Sequence, residues 1–121
     1  ADPDASAACI CSDLREQTQV SVAVIINDSI GRAWRNGTTG TAIGVAGLPA
    51  LLDLKGYPDL FGEPLRVSEE AVADELAAAA SLLQGQAAEG RPVVLIRGYA
   101  PSALPSPASS LIRPKAKDLF R

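Results

Sequence analysis

Two runs of β-branched residues, "VSVAVIIN" (residues 20–27) and "PVVLIRG" (92–98), set the strongest limit on how this chain folds. Neither alternates apolar with polar, so each reads as a strand buried on both faces. Such strands need cover, and the sequence offers two helices to give it. In "DPDASAACICSDLREQT", Asp2 can cap, Pro3 suits the first turn, and Ile10 and Leu14 share a face. "SEEAVADELAAAASLLQG" starts at Ser68, places Glu69 and Glu70 where the helix dipole favours acid, and stops at Gly85. Val72, Leu76, Ala79 and Leu83 form its expected apolar stripe, and its alanines allow close approach to a sheet. A short strand "LRV" (65–67) precedes it, while "LPALLDL" (48–54) reads equally as strand or as a turn of helix. The order predicts an α+β fold, a mixed sheet with packed helices, in about one domain.

Composition narrows the chemistry. The chain has no histidine, which removes His-ligated zinc, Ser-His and Cys-His nucleophile pairs and an imidazole base. Catalysis must rest on carboxylates, hydroxyls, backbone amides, Arg or Lys, or a bound metal. A net charge of −3 argues against nucleic acid as the main partner. Cys9 and Cys11 are too few for a zinc site and read as inert packing thiols of a reducing, cytoplasmic setting. No apolar run approaches the roughly 20 residues that a bilayer needs, and no signal-peptide pattern opens the chain. With no methionine at all, the sequence reads as beginning inside something larger. Residues 100–110 form a Pro/Ser-rich stretch expected as a surface loop, and "LIRPKAKDLFR" (111–121) as a tail that docks.

Between the helices lies "NDSIGRAWRNGTTGTAIGVAGL" (27–48), read as a loop leaving the first strand. Asp28 and Ser29 offer a carboxylate and a hydroxyl at the strand end, an arrangement suited to a hard cation. Arg32 and Arg35 would then face the phosphates that such a cation bridges. A turn capped by Asp28, with solvated arginines, fits the spacing as well. Glycines 37, 40, 44 and 47 would let backbone approach a ligand, although they form neither a P-loop nor a dinucleotide fingerprint. Trp34 reads as a partly buried packing residue. A second candidate is "QGQAAEGRP" (84–92), where Gln86 offers a neutral oxygen and two glycines free backbone amides for an anion. Asp74 and Glu75 point in different directions and read as a solvated or ion-paired face, not a catalytic pair.

Taken together, "DSIGRAWRNGTTGTAIGVAGLPALLDLKG", "PDLFGEPLRVSEEAVADELAAAASLLQGQAAEGRPVVLIRG" and "LIRPKAKDLFR" resemble the coenzyme F420-0:L-glutamate ligase family. The likeness covers essentially the whole chain and about the C-terminal half of the family's length, so residues 1–121 are expected to be that portion, without the amino-terminal half. It implies a GTP-dependent amide ligation in coenzyme F420 biosynthesis: γ-phosphate passes to the acceptor carboxylate, and the amine of L-glutamate then displaces it, releasing GDP and phosphate. Two divalent cations, Mg²⁺ or Mn²⁺, would neutralise the transferred charge. By motif match Asp28, Ser29 and Gln86 are the implied metal ligands. Gln84, Gly85, Gln86, Ala87, Ala88, Glu89, Gly90 and Arg91 form the implied nucleotide loop, and Arg32 and Arg35 are the catalytic candidates beside them. Ala88 and Gly40 depart from acidic residues carried by many members or by one branch. The implied partners are GTP, L-glutamate, coenzyme F420-0, the amino-terminal half and a second copy in a homodimer, with no nucleic acid and no membrane. Strand edges normally covered by the other half would make this chain self-associate. A non-catalytic nucleotide- or metal-binding module, and the same ligation on another carboxylate acceptor, remain alternatives.

Overall fold

The computed structural model describes residues 2–118. Helix α1 (Pro3–Thr18) is followed by strands β1 (Val24–Arg32) and β2 (Arg35–Ala46), which form an antiparallel hairpin. Two short strands, β3 (Leu52–Asp53) and β4 (Glu69–Glu70), make a second antiparallel pair, and helix α2 (Val72–Gln84) follows. The α+β class stands. The sheet expected to be mixed consists, among the described residues, of two antiparallel pairs.

Helix α1 begins as its sequence dictates. The Asp2 carboxylate accepts from the Ala5 amide at 3.1 Å, Pro3 opens the helix, and Gln19 ends it in the left-handed region. Helix α2 starts at Val72 and not at Ser68, because Glu69 and Glu70 are drawn into the ladder with β3. With no side-chain cap at Ala71, the Ala73 amide finds an acceptor in the Ala50 carbonyl at 3.1 Å. At the other end Gly85 closes the helix with φ of +78°.

The glycine-rich stretch is no loop. It runs as nine-residue β1 and twelve-residue β2 around a two-residue turn at Ala33 and Trp34. On β2, Gly40, Ala42 and Gly44 alternate onto one buried face. A Cβ at Gly40 would collide with the Ala77 carbonyl and lie 2.7 Å from the Ser81 Cβ, and one at Gly44 would collide with the Pro3 carbonyl. Gly40 and Gly44 therefore admit helix backbones, not a ligand. Each helix is then tied to β2 by an aspartate of its first turn. Asp74 accepts from the Ala42 amide at 2.9 Å, and Asp4 accepts from the Val45 amide at 2.9 Å. Asp74 is thus an inter-element tie, not part of a solvated face. Asp4 also accepts from the Ala108 amide at 2.8 Å, fastening the later chain to the same point.

The core is small in volume as a result. Ala42, Val45, Leu48, Ala50, Val72, Ala73, Ala77 and Ala108 form it; of the expected stripe on α2, Val72 is buried and Leu76 packs against the core, while Ala73 and Ala77 take the place of Ala79 and Leu83. Larger apolar groups stay outside. The "PVVLIRG" run forms no strand, and Val93 and Leu95 are 83% and 68% exposed, because no strand edge among the described residues pairs with it. Residues 65–67 form no strand either, and β1 is only half-buried over its apolar part. An open apolar cleft of about 860 Å³ results, its lining including Ile10, Leu14, Val24, Ile26, Leu76 and Val93. Trp34, expected to pack, is 84% exposed.

Cys9 is exposed as well, so it does not pack, whereas Cys11 is half-buried and donates its S–H to the Val22 carbonyl at 3.0 Å. The Pro/Ser-rich segment is held against the chain just after β2: Ser106 gives its amide to the Leu48 carbonyl and accepts from the Ala50 amide. Of the tail, Leu111 packs on the core and residues 112–117 are exposed. Most of "DLFR", residues 119–121, lies outside the described residues. Among those residues no helix is long and apolar enough to cross a membrane.

Two stability tests follow from the ties on β2. Burial pushes the Asp4 carboxyl up, but three backbone donors outweigh it, so it sits below its ordinary value of 3.8. A lowered folded value contributes stability that is present above the unfolded value and is lost as pH falls through the folded one. Asp4→Ala leaves the Val45 and Ala108 amides without their acceptor and should cost about 1–2 kcal/mol at neutral pH, after discounting for its exposure to solvent, with the gap to wild type narrowing below pH 3.8; urea unfolding across pH measures both. Gly40→Asp should force α2 off β2 and cost about 3 kcal/mol by overpacking, read as a lowered midpoint in thermal unfolding.

Candidate functional site

A polar cleft of about 420 Å³ opens where β1 passes the end of α2. It is lined by Asn27, Asp28 and Ser29 from β1, Ser81 from α2, and Gln84, Gly85, Gln86, Ala87, Gly90 and Arg91 from the helix end and following loop, with Pro92 at the exit. Two stretches far apart in sequence, singled out for separate reasons, thus meet in one place. Successive strand residues face opposite ways. Asn27 and Ser29, opposite Ala42 and Gly40 in the ladder, therefore share the face that α2 packs on, while Asp28 alternates to the other. The Asp28 carboxylate accepts from the Ser29 amide at 2.7 Å and still lines the cleft.

The loop is ordered by its own side chains. Gly85 and Gly90 both adopt positive φ, +78° and +64°, conformations that an L residue takes only with strain. The Glu89 carboxylate folds back to accept from the Ala87 amide at 2.8 Å, and the Gln86 amide donates to the Ser81 hydroxyl at 3.3 Å. Gln84 is held from both sides: it accepts from the Asn27 amide at 2.9 Å and donates to the Pro92 carbonyl at 3.2 Å.

The implied metal ligands Asp28, Ser29 and Gln86 all line this cleft, and so do Gln84, Gly85, Ala87, Gly90 and Arg91 of the implied nucleotide loop. Ala88 and Glu89 belong to the loop but are not among the lining residues. Arg32 and Arg35 stand apart. They are paired with each other across the hairpin tip and are exposed, and Arg32 lies roughly 13 Å along the strand from Asp28. The residues that sequence reasoning passed over are Asn27 and Ser81. Asn27 had a signal, since it closes an apolar run two positions before Ser29 and so shares its face; Ser81 is a lone hydroxyl in an alanine- and leucine-rich helix.

The donor set decides which ions fit. Asp28, Ser29 and Gln86 offer one carboxylate, one hydroxyl and one amide, all oxygen, with no nitrogen or sulfur ligand. That suits a hard cation such as Mg²⁺ or Mn²⁺ and not zinc or copper. No group of three or more His, Cys, Asp or Glu among the described residues could hold a metal alone. A cation here needs phosphate oxygens, water or further carboxylates to complete its shell, the way Mg²⁺ is commonly held at nucleotide sites.

Residues 1–98 match the F420-0:gamma-glutamyl ligase family. Over 122 residues the chain is 52% identical to a protein of Methanothermobacter thermautotrophicus named coenzyme F420:L-glutamate ligase, an alignment covering 99% of this chain and 48% of that protein. A Methanocaldococcus jannaschii protein of the same name is 48% identical over 120 residues, again with 99% and 48% covered. The chain thus spans about half the length of the curated relatives it matches. With a match over most of its length and relatives near half identical, the chain belongs to the F420-0:gamma-glutamyl ligase family.

Proposed function

We propose that this chain is the C-terminal portion of a GTP-dependent ligase that adds L-glutamate to coenzyme F420-0, and that it forms one wall of the metal and nucleotide site. The observation that carries the reading is the meeting of Asp28 and Ser29 with residues 84–91 in one oxygen-rich cleft. The names of the relatives give the reaction class. The work takes place in the cytoplasm, in a homodimer of the complete enzyme.

In this reading Asp28, Ser29 and Gln86 hold a divalent cation, Mg²⁺ or Mn²⁺. Such a cation would supply positive charge against the negative charge that develops on the phosphoryl group in transfer. Gly85 and Gly90 turn the loop so that backbone amides can face phosphate, and Arg91 supplies the guanidinium that a phosphate needs. Arg32 and Arg35 do not line the cleft, so phosphate contact falls to Arg91. Transfer of the γ-phosphoryl group to the acceptor carboxylate makes an acyl phosphate and GDP. The glutamate amine then attacks the acyl carbon, the C–N bond forms, the C–O bond to phosphate breaks, and the amine loses its proton. With a single carboxylate in the cleft, the second cation requires ligands from the other half of the enzyme.

Ligation itself tests this. With GTP, Mn²⁺, L-glutamate and coenzyme F420-0, a one-glutamate mass increase should appear only when the complementary half is present. In that complete enzyme Asp28→Asn should lower the rate by more than the roughly 10–100-fold typical of losing an outer-shell partner. An unaltered rate would remove Asp28 from the metal site.

A further inference from the structure

The polar cleft and the apolar cleft share a wall. Asn27, Gln84 and Pro92 line both, and the three are joined in series by hydrogen bonds. The series has only one possible polarity. The Pro92 carbonyl can only accept, so the Gln84 side chain must offer it an N–H. That leaves the Gln84 carbonyl oxygen facing Asn27, and Asn27 must present its own N–H in turn. The relay therefore runs Asn27 to Gln84 to Pro92, at 2.9 and 3.2 Å.

Its position gives it a task. Gln84 is the last residue of α2 and Pro92 follows Arg91 at the far end of the loop, so one side chain ties both ends of residues 85–91 together. Asn27 anchors that tie to β1, one residue before Asp28. Gly85 and Gly90 give the loop two flexible points, and its other bonds, from the Ala87 amide to Glu89 and from Gln86 to Ser81 of α2, do not reach Pro92. The Gln84 bridge is what closes the span.

We propose that Asn27 and Gln84 are positioning residues: their relay sets the separation between the loop of residues 85–91 and the Asp28–Ser29 edge, and so the fit of the cleft to a nucleotide. This rests on the reading that the loop lies along a nucleotide. Gln84 acts through its side chain on the loop, not on the ligand.

Two isosteric changes separate the bonds. Gln84→Glu keeps an acceptor for Asn27 and loses the donor to Pro92. Asn27→Asp makes the Gln84 amide turn its N–H toward the new carboxylate and its oxygen toward the Pro92 carbonyl, which breaks the same tether. Backbone hydrogen exchange at Ala87, whose amide the Glu89 carboxylate protects within the loop, should speed up roughly fivefold to tenfold in both. The Ala42 and Val45 amides, held by Asp74 and Asp4, should stay as slow as in wild type, and the melting temperature should hardly move. Gln84→Leu should do the same, and adding Asn27→Leu should bring no further acceleration, since the relay is already broken. Calorimetry with Mn²⁺·GDP on the enzyme completed with its other half should show weaker binding in step with the exchange. Unchanged loop exchange in Gln84→Glu, or additive effects of the two leucines, would overturn the proposal. If the enzyme completed with its other half fails to bind Mn²⁺·GDP while exchange responds as described, the clamp stands and the nucleotide reading falls.

Discussion

The fold depends on one arrangement repeated twice: a first-turn aspartate of a helix accepting a backbone amide of β2, beside a glycine that lets the helix backbone in. Asp4 and Gly44 place α1, and Asp74 and Gly40 place α2. Each tie is a charged acceptor on a main-chain donor, stronger than a neutral bond. Each glycine removes the Cβ that would hold the helix off. In a core made mostly of alanines, little apolar volume is buried to do that work instead. The two helices are therefore positioned by polar contacts along a single strand.

That placement produces the cleft. With α2 seated on Gly40, its C-terminal end lies beside the part of β1 that pairs with that region of β2. Ser29, opposite Gly40, and Asn27, opposite Ala42, then face Ser81 and Gln84. Gly85 turns the chain out of the helix, and residues 86–91 come round to the strand edge. The chemistry of the site is hard oxygen plus one guanidinium, and the architecture leaves it one-sided. Val93, 83% exposed, also lines the neighbouring apolar cleft.

Local signals were legible and long-range ones were not. The cap at Asp2, the stop at Gly85 and the approximate span of both helices followed from residue types alone. Likeness to the family, and not residue types or spacing, put Asp28 and Ser29 together with the Gln84–Arg91 stretch. The hairpin was hidden because its turn, Ala33 and Trp34, lacks the Asn-Gly or Gly-Gly pair that usually announces one, and the positive φ falls on Trp34. The glycines suggested a ligand because their partners, Ala77 and Pro3, are far away in sequence. "PVVLIRG" reads as a strand by composition, but a strand forms only where an edge is offered. Asn27 went unnoticed because its role depends on Gln84, 57 positions away.

The central claim is that the edge of β1 and the loop after α2 form one site for a metal-bound nucleotide. Paramagnetic broadening by Mn²⁺·GTP in a two-dimensional amide spectrum of this chain tests it most directly. The account predicts that the amides of Asp28, Ser29, Gly85, Gln86 and Arg91 broaden first and together, while those of Arg32 and Arg35 at the hairpin tip keep their intensity. Broadening centred on the tip, or on the acidic residues of α1, would contradict it.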